Sequence, residues 1–147
     1  MASKEYALEM KYSNVEEKEI MYNVVNGTNE ANEMKSVAGI ANWIEGGAGA
    51  DVITGVNAYD MLAGNAGDDK ITATKAKGSV EIYGGEGNDT LTGSKYADYI
   101  AGGEDEDIII GGKGDDTLRG NTPMPGNEEN PVETAKDTFV FYKGGRQ

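Results

Sequence analysis

Along most of this chain the apolar residues come singly, nine residues apart, each two places after an aspartate. The units GGAGADVIT (46–54), GVNAYDMLA (55–63), GNAGDDKIT (64–72), GGEGNDTLT (84–92), GSKYADYIA (93–101), GGEDEDIII (102–110) and GGKGDDTLR (111–119) share a pattern. Glycine comes first, aspartate sixth and an aliphatic residue eighth. A short fixed period of this kind marks a repeat architecture. The unit KAKGSVEIY (75–83) keeps its apolar eighth position as Ile82, but Val80 stands where the aspartate belongs, and Ala73 and Thr74 are inserted before it. Weaker copies lie upstream: KEIMYNVVN (18–26), GTNEANEMK (27–35) and VAGIANWIE (37–45), with Asn23, Asn32 and Asn42 in the sixth position.

Six residues of glycine-rich turn followed by three of strand account for each unit. Glycine tolerates the positive φ and close backbone approach of a tight turn. A three-residue strand turns one side chain inward, so only the eighth position has to be apolar. The fold predicted is all-β: a right-handed parallel β-roll (a β-solenoid with two nonapeptide repeats per turn), whose equivalent positions recur every 18 residues and stack about 4.8 Å apart. The sixth positions then fall on two edges. One edge carries Asn32, Asp51, Asp69, Asp89, Asp107 and Asp137; the other carries Asn23, Asn42, Asp60, Val80, Asp98 and Asp116.

A roll leaves open strands at both ends, which atypical terminal units must cover. Residues 1–26 are expected to supply N-terminal capping strands. Within them YALEMKY (6–12) alternates Tyr6, Leu8, Met10 and Tyr12 with polar residues, as a half-buried strand does. Residues 27–119 form the repeats, degenerate at 27–45 and 75–83. Residues 120–147 hold a loop insertion with all three prolines, then a capping strand at TFVFY (138–142), with Asp137 and Phe139 resuming the pattern.

Composition sharpens this picture. Hydrophobic residues are 37% of 147, glycine contributes 22 and the net charge is -13, close to the disordered class unless something besides a large core holds the chain together. That charge argues against nucleic acid or anionic membranes as partners and in favour of cations. Cysteine and histidine are absent, which removes disulfides, thiolate metal sites and the usual general base. Only a carboxylate pair could act in catalysis, and every well-placed aspartate already has a metal-binding explanation, so the chain is read as no enzyme. No apolar run is long enough to span a bilayer or to form the core of a cleavable secretory signal. Carboxylates stacked at strand spacing repel by roughly 1 kcal/mol per neighbouring pair even in water. Calcium, which takes six to eight oxygen ligands, relieves this better than Mg²⁺.

The repeat resembles the nonapeptide of the RTX (repeats-in-toxin) family over about residues 27–142. The resemblance implies ions held between turns 18 residues apart. The earlier loop would give carbonyls from positions two and four, the later loop carbonyls from positions one and three, and both aspartates would ligate. It places one ion among Gly47, Gly49, Asp51, Gly64, Ala66 and Asp69, and a second among Asn65, Gly67, Asp69, Gly84, Glu86 and Asp89. A third would lie among Gly85, Gly87, Asp89, Gly102, Glu104 and Asp107, and a fourth among Ser94, Tyr96, Asp98, Gly111, Lys113 and Asp116. Asn42, Asp60 and Asp137 would make weaker sites, Val80 breaks those it would share with Asp60 and Asp98, and Asp105 and Tyr96 stand at glycine positions. The cofactor implied is Ca²⁺, about four ions or more. The function implied is an extracellular module of a larger bacterial protein that leaves by type I secretion and folds on meeting calcium. The alternative is a polysaccharide- or surface-binding accessory module of an adhesin or carbohydrate-modifying enzyme, with Trp43, Tyr59, Tyr96 and Tyr99 as its aromatic candidates.

Overall fold

A computed structural model of the chain describes residues 8–13, 15–16, 18–120 and 136–141. Strands numbered in chain order build two sheets. In the first, β2 (Lys18–Thr28), β4 (Asn42–Gly47), β6 (Met61–Ala66), β8 (Glu81–Glu86), β10 (Tyr99–Gly103) and β12 (Thr117–Arg119) pair in parallel, with β1 (Leu8–Ser13) antiparallel to β2. In the second, β3 (Glu33–Lys35), β5 (Val52–Thr54), β7 (Lys70–Thr72), β9 (Thr90–Thr92), β11 (Ile108–Ile110) and β13 (Thr138–Val140) pair in parallel. The chain passes from one sheet to the other at every repeat, which makes it a β-solenoid of two nonapeptides per coil, all-β among the described residues.

Eighth positions form the interior. Val25, Ile44, Leu62, Ile82, Ile100 and Leu118 stack down one sheet, and Met34, Ile53, Ile71, Leu91 and Ile109 down the other, in a single cluster. Each fully buried aliphatic side chain contributes about 1.5–3 kcal/mol. Where Val80 replaces an aspartate, its side chain joins this interior. The inserted Ala73 and Thr74 are absorbed in a tight turn in which the Ala76 amide donates to the Ala73 carbonyl, with Ala73 and Ala76 both buried. Register survives the insertion: Leu62 pairs with Ile82 and Ile71 with Leu91, a step of 20 residues rather than 18.

Two expectations about the periphery need correction. The interior is not the whole apolar packing. Met61, Ala63, Tyr83 and Ala101, which alternate with the inner residues and so lie on the outer face of the first sheet, are buried with Tyr22 in a second cluster. Tyr22 meets Trp43 edge-on at 5.4 Å, and the Lys11 ammonium lies 4.6 Å from the Trp43 ring centroid. The first strand therefore forms at 8–13 but faces the other way from the expected half-buried strand. Leu8, Met10 and Tyr12 are 50%, 55% and 53% exposed, while Lys11 and Ser13 turn toward the protein. The alternation predicted the strand correctly, but not which side of it was covered. Phe139 takes the apolar slot opposite Ile109 yet stays 38% exposed at the end of the described stack. The proline-containing loop and Tyr6 lie outside the described residues.

Candidate metal centre

The glycine loops of the second-sheet edge share one backbone pattern. Positions two and four adopt left-handed φ at Gly47, Gly49, Gly67, Gly85, Gly87 and Gly103, and Asn65 and Asp105 take the same conformation at 74° without being glycine. Asp105 thus preserves the turn that its side chain put in question. A left-handed residue turns its carbonyl along the stack: a methyl group on Gly85 would strike the Asn65 carbonyl, and one on Gly87 the Gly67 carbonyl. Carbonyls from positions two and four of each loop therefore aim at the loop one coil later.

The aspartates divide their two oxygens. Asp69 Oδ1 accepts the Asp51 amide at 2.7 Å, Asp89 Oδ1 the Asp69 amide at 2.8 Å, and Asp107 Oδ1 the Asp89 amide at 2.9 Å. Asp137 Oδ1 accepts the Asp107 amide at 3.0 Å, so the chain returns in register after the loop insertion. This ladder was not foreseen from the sequence. The Oδ2 atoms of Asp51, Asp69 and Asp89 are buried and have no hydrogen-bond partner. Desolvating an unpaired carboxylate oxygen is costly, so buried ones are normally paired or bound to a metal.

What each of these Oδ2 atoms faces is repeated on four coils, Asp107 included. A methyl on Gly46 would fall on both Asp51 Oδ2 and the Gly64 carbonyl; on Gly64, on Asp69 Oδ2 and the Gly84 carbonyl. On Gly84 it would meet Asp89 Oδ2 and the Gly102 carbonyl, and on Gly102, Asp107 Oδ2 and the Gly120 carbonyl. First-position glycine keeps open a hollow into which a carboxylate oxygen and a carbonyl from the next coil converge. Among the described residues no three acidic side chains converge. The donor set is one free carboxylate oxygen with surrounding backbone carbonyls, hard oxygen chemistry that fits Ca²⁺. Two expected donors are already engaged: the Glu86 carbonyl accepts the Gly67 amide, and the Gly85 carbonyl accepts the Glu104 amide.

Burial pushes the Asp69 carboxyl up to about 7 and the Asp89 carboxyl to about 8, against the ladder hydrogen bonds that pull both down; neighbouring carboxylates add to the rise. Both groups give up their protons at higher pH than a free aspartate unless a cation replaces them.

The other edge repeats the Oδ1 ladder, the Asp98 amide donating to Asp116 Oδ1 at 2.9 Å, and a methyl on Gly93 would likewise meet Asp98 Oδ2 and the Gly111 carbonyl; what differs is that Oδ2 is hydrogen-bonded at Asp60 and Asp98. Asp98 Oδ1 accepts the Val80 amide and the Ser94 hydroxyl, and Oδ2 accepts the Ser94 amide at 2.6 Å. Asp60 Oδ1 accepts the Asn42 amide, and Oδ2 the amides of Val56 and Asn57 at 3.1 and 3.0 Å. Asn42 bonds Asn23, and Asn57 bonds the Val37 carbonyl. Tyr96 and Ser94 are absent from the left-handed positions that Gly112 and Gly114 occupy, so loop 93–98 is a serine-capped turn rather than a copy of the glycine turn. Asp116 Oδ2 is orphaned above Gly111 and its carboxyl is pushed up to about 6 by burial. Serine in place of the second-position glycine was the signal that separates Asp98 from the rest.

A family model described as the RTX calcium-binding nonapeptide repeat matches the chain in four copies, over residues 39–71 and 83–118. No curated protein and no solved structure matches. Repeats of this family bind calcium and are typical of secreted bacterial proteins. With parallel strands stacked at nonapeptide register and glycine turns along one edge, this chain carries RTX calcium-binding repeats and folds as the β-roll of that family.

Proposed function

We propose that the chain is an extracellular module whose folding is driven by calcium bound along one edge only, about one ion per hollow at Asp51, Asp69, Asp89 and Asp107. The observation that supports this is the row of buried, unpartnered Oδ2 atoms at Asp51, Asp69 and Asp89, each facing a carbonyl from the next coil, with the hollow above Gly102 repeating the arrangement at Asp107. Calcium supplies the positive charge that these oxygens lack. Each aspartate holds its hollow open through Oδ1, which ties it to the coil before, while Oδ2 and the glycine carbonyls face the ion. Because the hollows form only when coils stack, binding free energy becomes folding free energy. Low calcium inside a cell would leave the chain open for export, and higher calcium outside would close it.

On the opposite edge, saturated side-chain networks at Asp60 and Asp98 take the place of metal. Titration calorimetry with far-UV circular dichroism tests the reading. A cooperative gain of β-structure with about four ions per chain is expected. Asp69→Asn should lower the count, and Asp98→Asn should leave it unchanged. A β-spectrum that ignores calcium, or a count that falls with Asp98→Asn, would overturn it.

A further inference from the structure

The first coils of the roll are held by different bonds from the later ones. Their sixth positions are Asn23, Asn32 and Asn42, whereas from Asp51 onward the same position is acidic except at Val80. A neutral amide carries both donors and an acceptor, so stacked asparagines can bond one another where stacked carboxylates repel. Asn23 and Asn42 are buried. The Asn23 side-chain amide donates to Asn42 Oδ1 at 2.8 Å, and the Asn42 side-chain amide donates to the Ile40 and Val37 carbonyls at 2.8 and 3.0 Å. The Val37 backbone amide returns to Asn42 Oδ1 at 3.2 Å. One coil on, the Asn42 backbone amide donates to Asp60 Oδ1 at 2.8 Å, and Asn57 Oδ1 accepts the Gly39 amide at 2.9 Å. Each of these bonds is supplied by the chain itself.

The calcium edge begins in the same way. A methyl on Gly27 would meet the Gly46 carbonyl and Asn32 Oδ1, the place that a carboxylate oxygen takes above Gly46, Gly64 and Gly84. Asn32 Oδ1 is neutral and already accepts the Thr28 amide at 2.8 Å and the Thr28 hydroxyl at 3.2 Å. Among the described residues as far as the end of β6, Asp51 alone has a buried carboxylate oxygen without a partner; those of Asp69, Asp89 and Asp116 lie in later coils. Apolar packing is doubled over the same stretch. Val25, Met34, Ile44, Ile53 and Leu62 fill the interior, while Tyr22, Trp43, Met61 and Ala63 pack outside the first sheet. That outer cluster runs on to Tyr83 and Ala101, so β2 offers a surface to coils that come later.

We propose that β1 to β6 form a calcium-independent seed, onto which the coils from Asp69 onward are added as they bind their ions. In a stack of repeats an ordered coil lowers the cost of ordering its neighbour, which gives assembly a direction, from β2 toward β13. The proposal rests on the calcium reading for the later coils, and it leaves those coils alone open when calcium is low.

Hydrogen exchange followed peptide by peptide on the whole chain at pH 8 tests it, in chelator and then across a calcium titration. In chelator, amides of β2, β4 and β6 should exchange about tenfold or more slowly than those of β7, β9 and β11, a difference of about 1.4 kcal/mol in opening free energy. Trp43, the sole tryptophan, gives a second readout. Its emission and its quenching by acrylamide should match the calcium-loaded chain already in chelator, and should change little while calcium builds the far-UV signal. Asn42→Ala should abolish the protection in chelator and raise the calcium midpoint of the far-UV signal several-fold, although Asn42 lies on the edge away from the hollows. Asp69→Asn should raise that midpoint and leave β2 and β4 protected. Equal exchange of early and late strands in chelator, with Trp43 moving at the far-UV midpoint, would overturn the seed and leave the calcium reading standing. Asn42→Ala protected in chelator like the unaltered chain would overturn the seed as well. Full protection of every strand in chelator would overturn the calcium reading, and the division of the roll with it. The unaltered chain decides the question even if Asn42→Ala fails to fold in calcium.

Discussion

Replacing Asp89 with alanine is expected to open the roll at its middle and to raise the calcium concentration at the folding midpoint by more than tenfold. Two losses combine. The hollow above Gly84 loses its only free carboxylate oxygen, leaving carbonyls too weakly charged to hold a dication. The Asp69 amide, which donates to Asp89 Oδ1 at 2.8 Å, is left buried without a partner, costing about 1–3 kcal/mol by itself. Each 1.4 kcal/mol corresponds to a factor of ten in the equilibrium. Asp115→Ala, at an exposed fifth position, removes the same formal charge and should move the midpoint little. Calcium titrations followed by circular dichroism compare the two. Equal midpoints for both variants would show that the effect is net charge rather than a specific hollow.

The second large effect is a reversal of pH dependence by metal. In chelator, the folded chain keeps protons on Asp69 to about pH 7 and on Asp89 to about pH 8, because burial raises both. The unfolded chain releases those protons near pH 3.9. A group whose pKa is higher when folded stabilises the fold most below the unfolded value, and that stability disappears as pH rises through the folded value. The metal-free roll should therefore be most structured near pH 4 and lose β-structure between pH 4 and 8. Calcium must displace the same protons, so its affinity should rise across that window. Circular dichroism in chelator at pH 5 and 8, paired with calcium titrations at both, reads each trend. More β-structure at pH 8 than at pH 5 without metal would contradict the raised carboxyls.

The nonapeptide register made most of this architecture legible in the sequence. Glycine, aspartate and an apolar residue at fixed offsets predicted which residues turn inward, which edge each aspartate lies on and that Asp137 would return opposite Asp107. Three features were hidden. The buried outer face at Met61, Ala63, Tyr83 and Ala101 depends on packing with Tyr22 and Trp43, which no local periodicity encodes. The exposed side of the first strand follows from that same packing, so the alternation of Leu8, Met10 and Tyr12 pointed the wrong way. Saturation of Asp98 and Asp60 comes from the backbone amides of Ser94, Val56 and Asn57 closing on Oδ2, a turn conformation that the repeat pattern does not encode. Aspartates with the same place in the repeat thus differ in what their oxygens can still bind.

That difference is open to direct observation. A crystal grown in calcium, with anomalous scattering recorded to locate the ions, should show metal between successive coils beside Asp51, Asp69, Asp89 and Asp107 and none beside Asp60 or Asp98. Ions along the Asp60–Asp98 edge, or hollows above Gly46, Gly64, Gly84 and Gly102 without metal, would contradict the account.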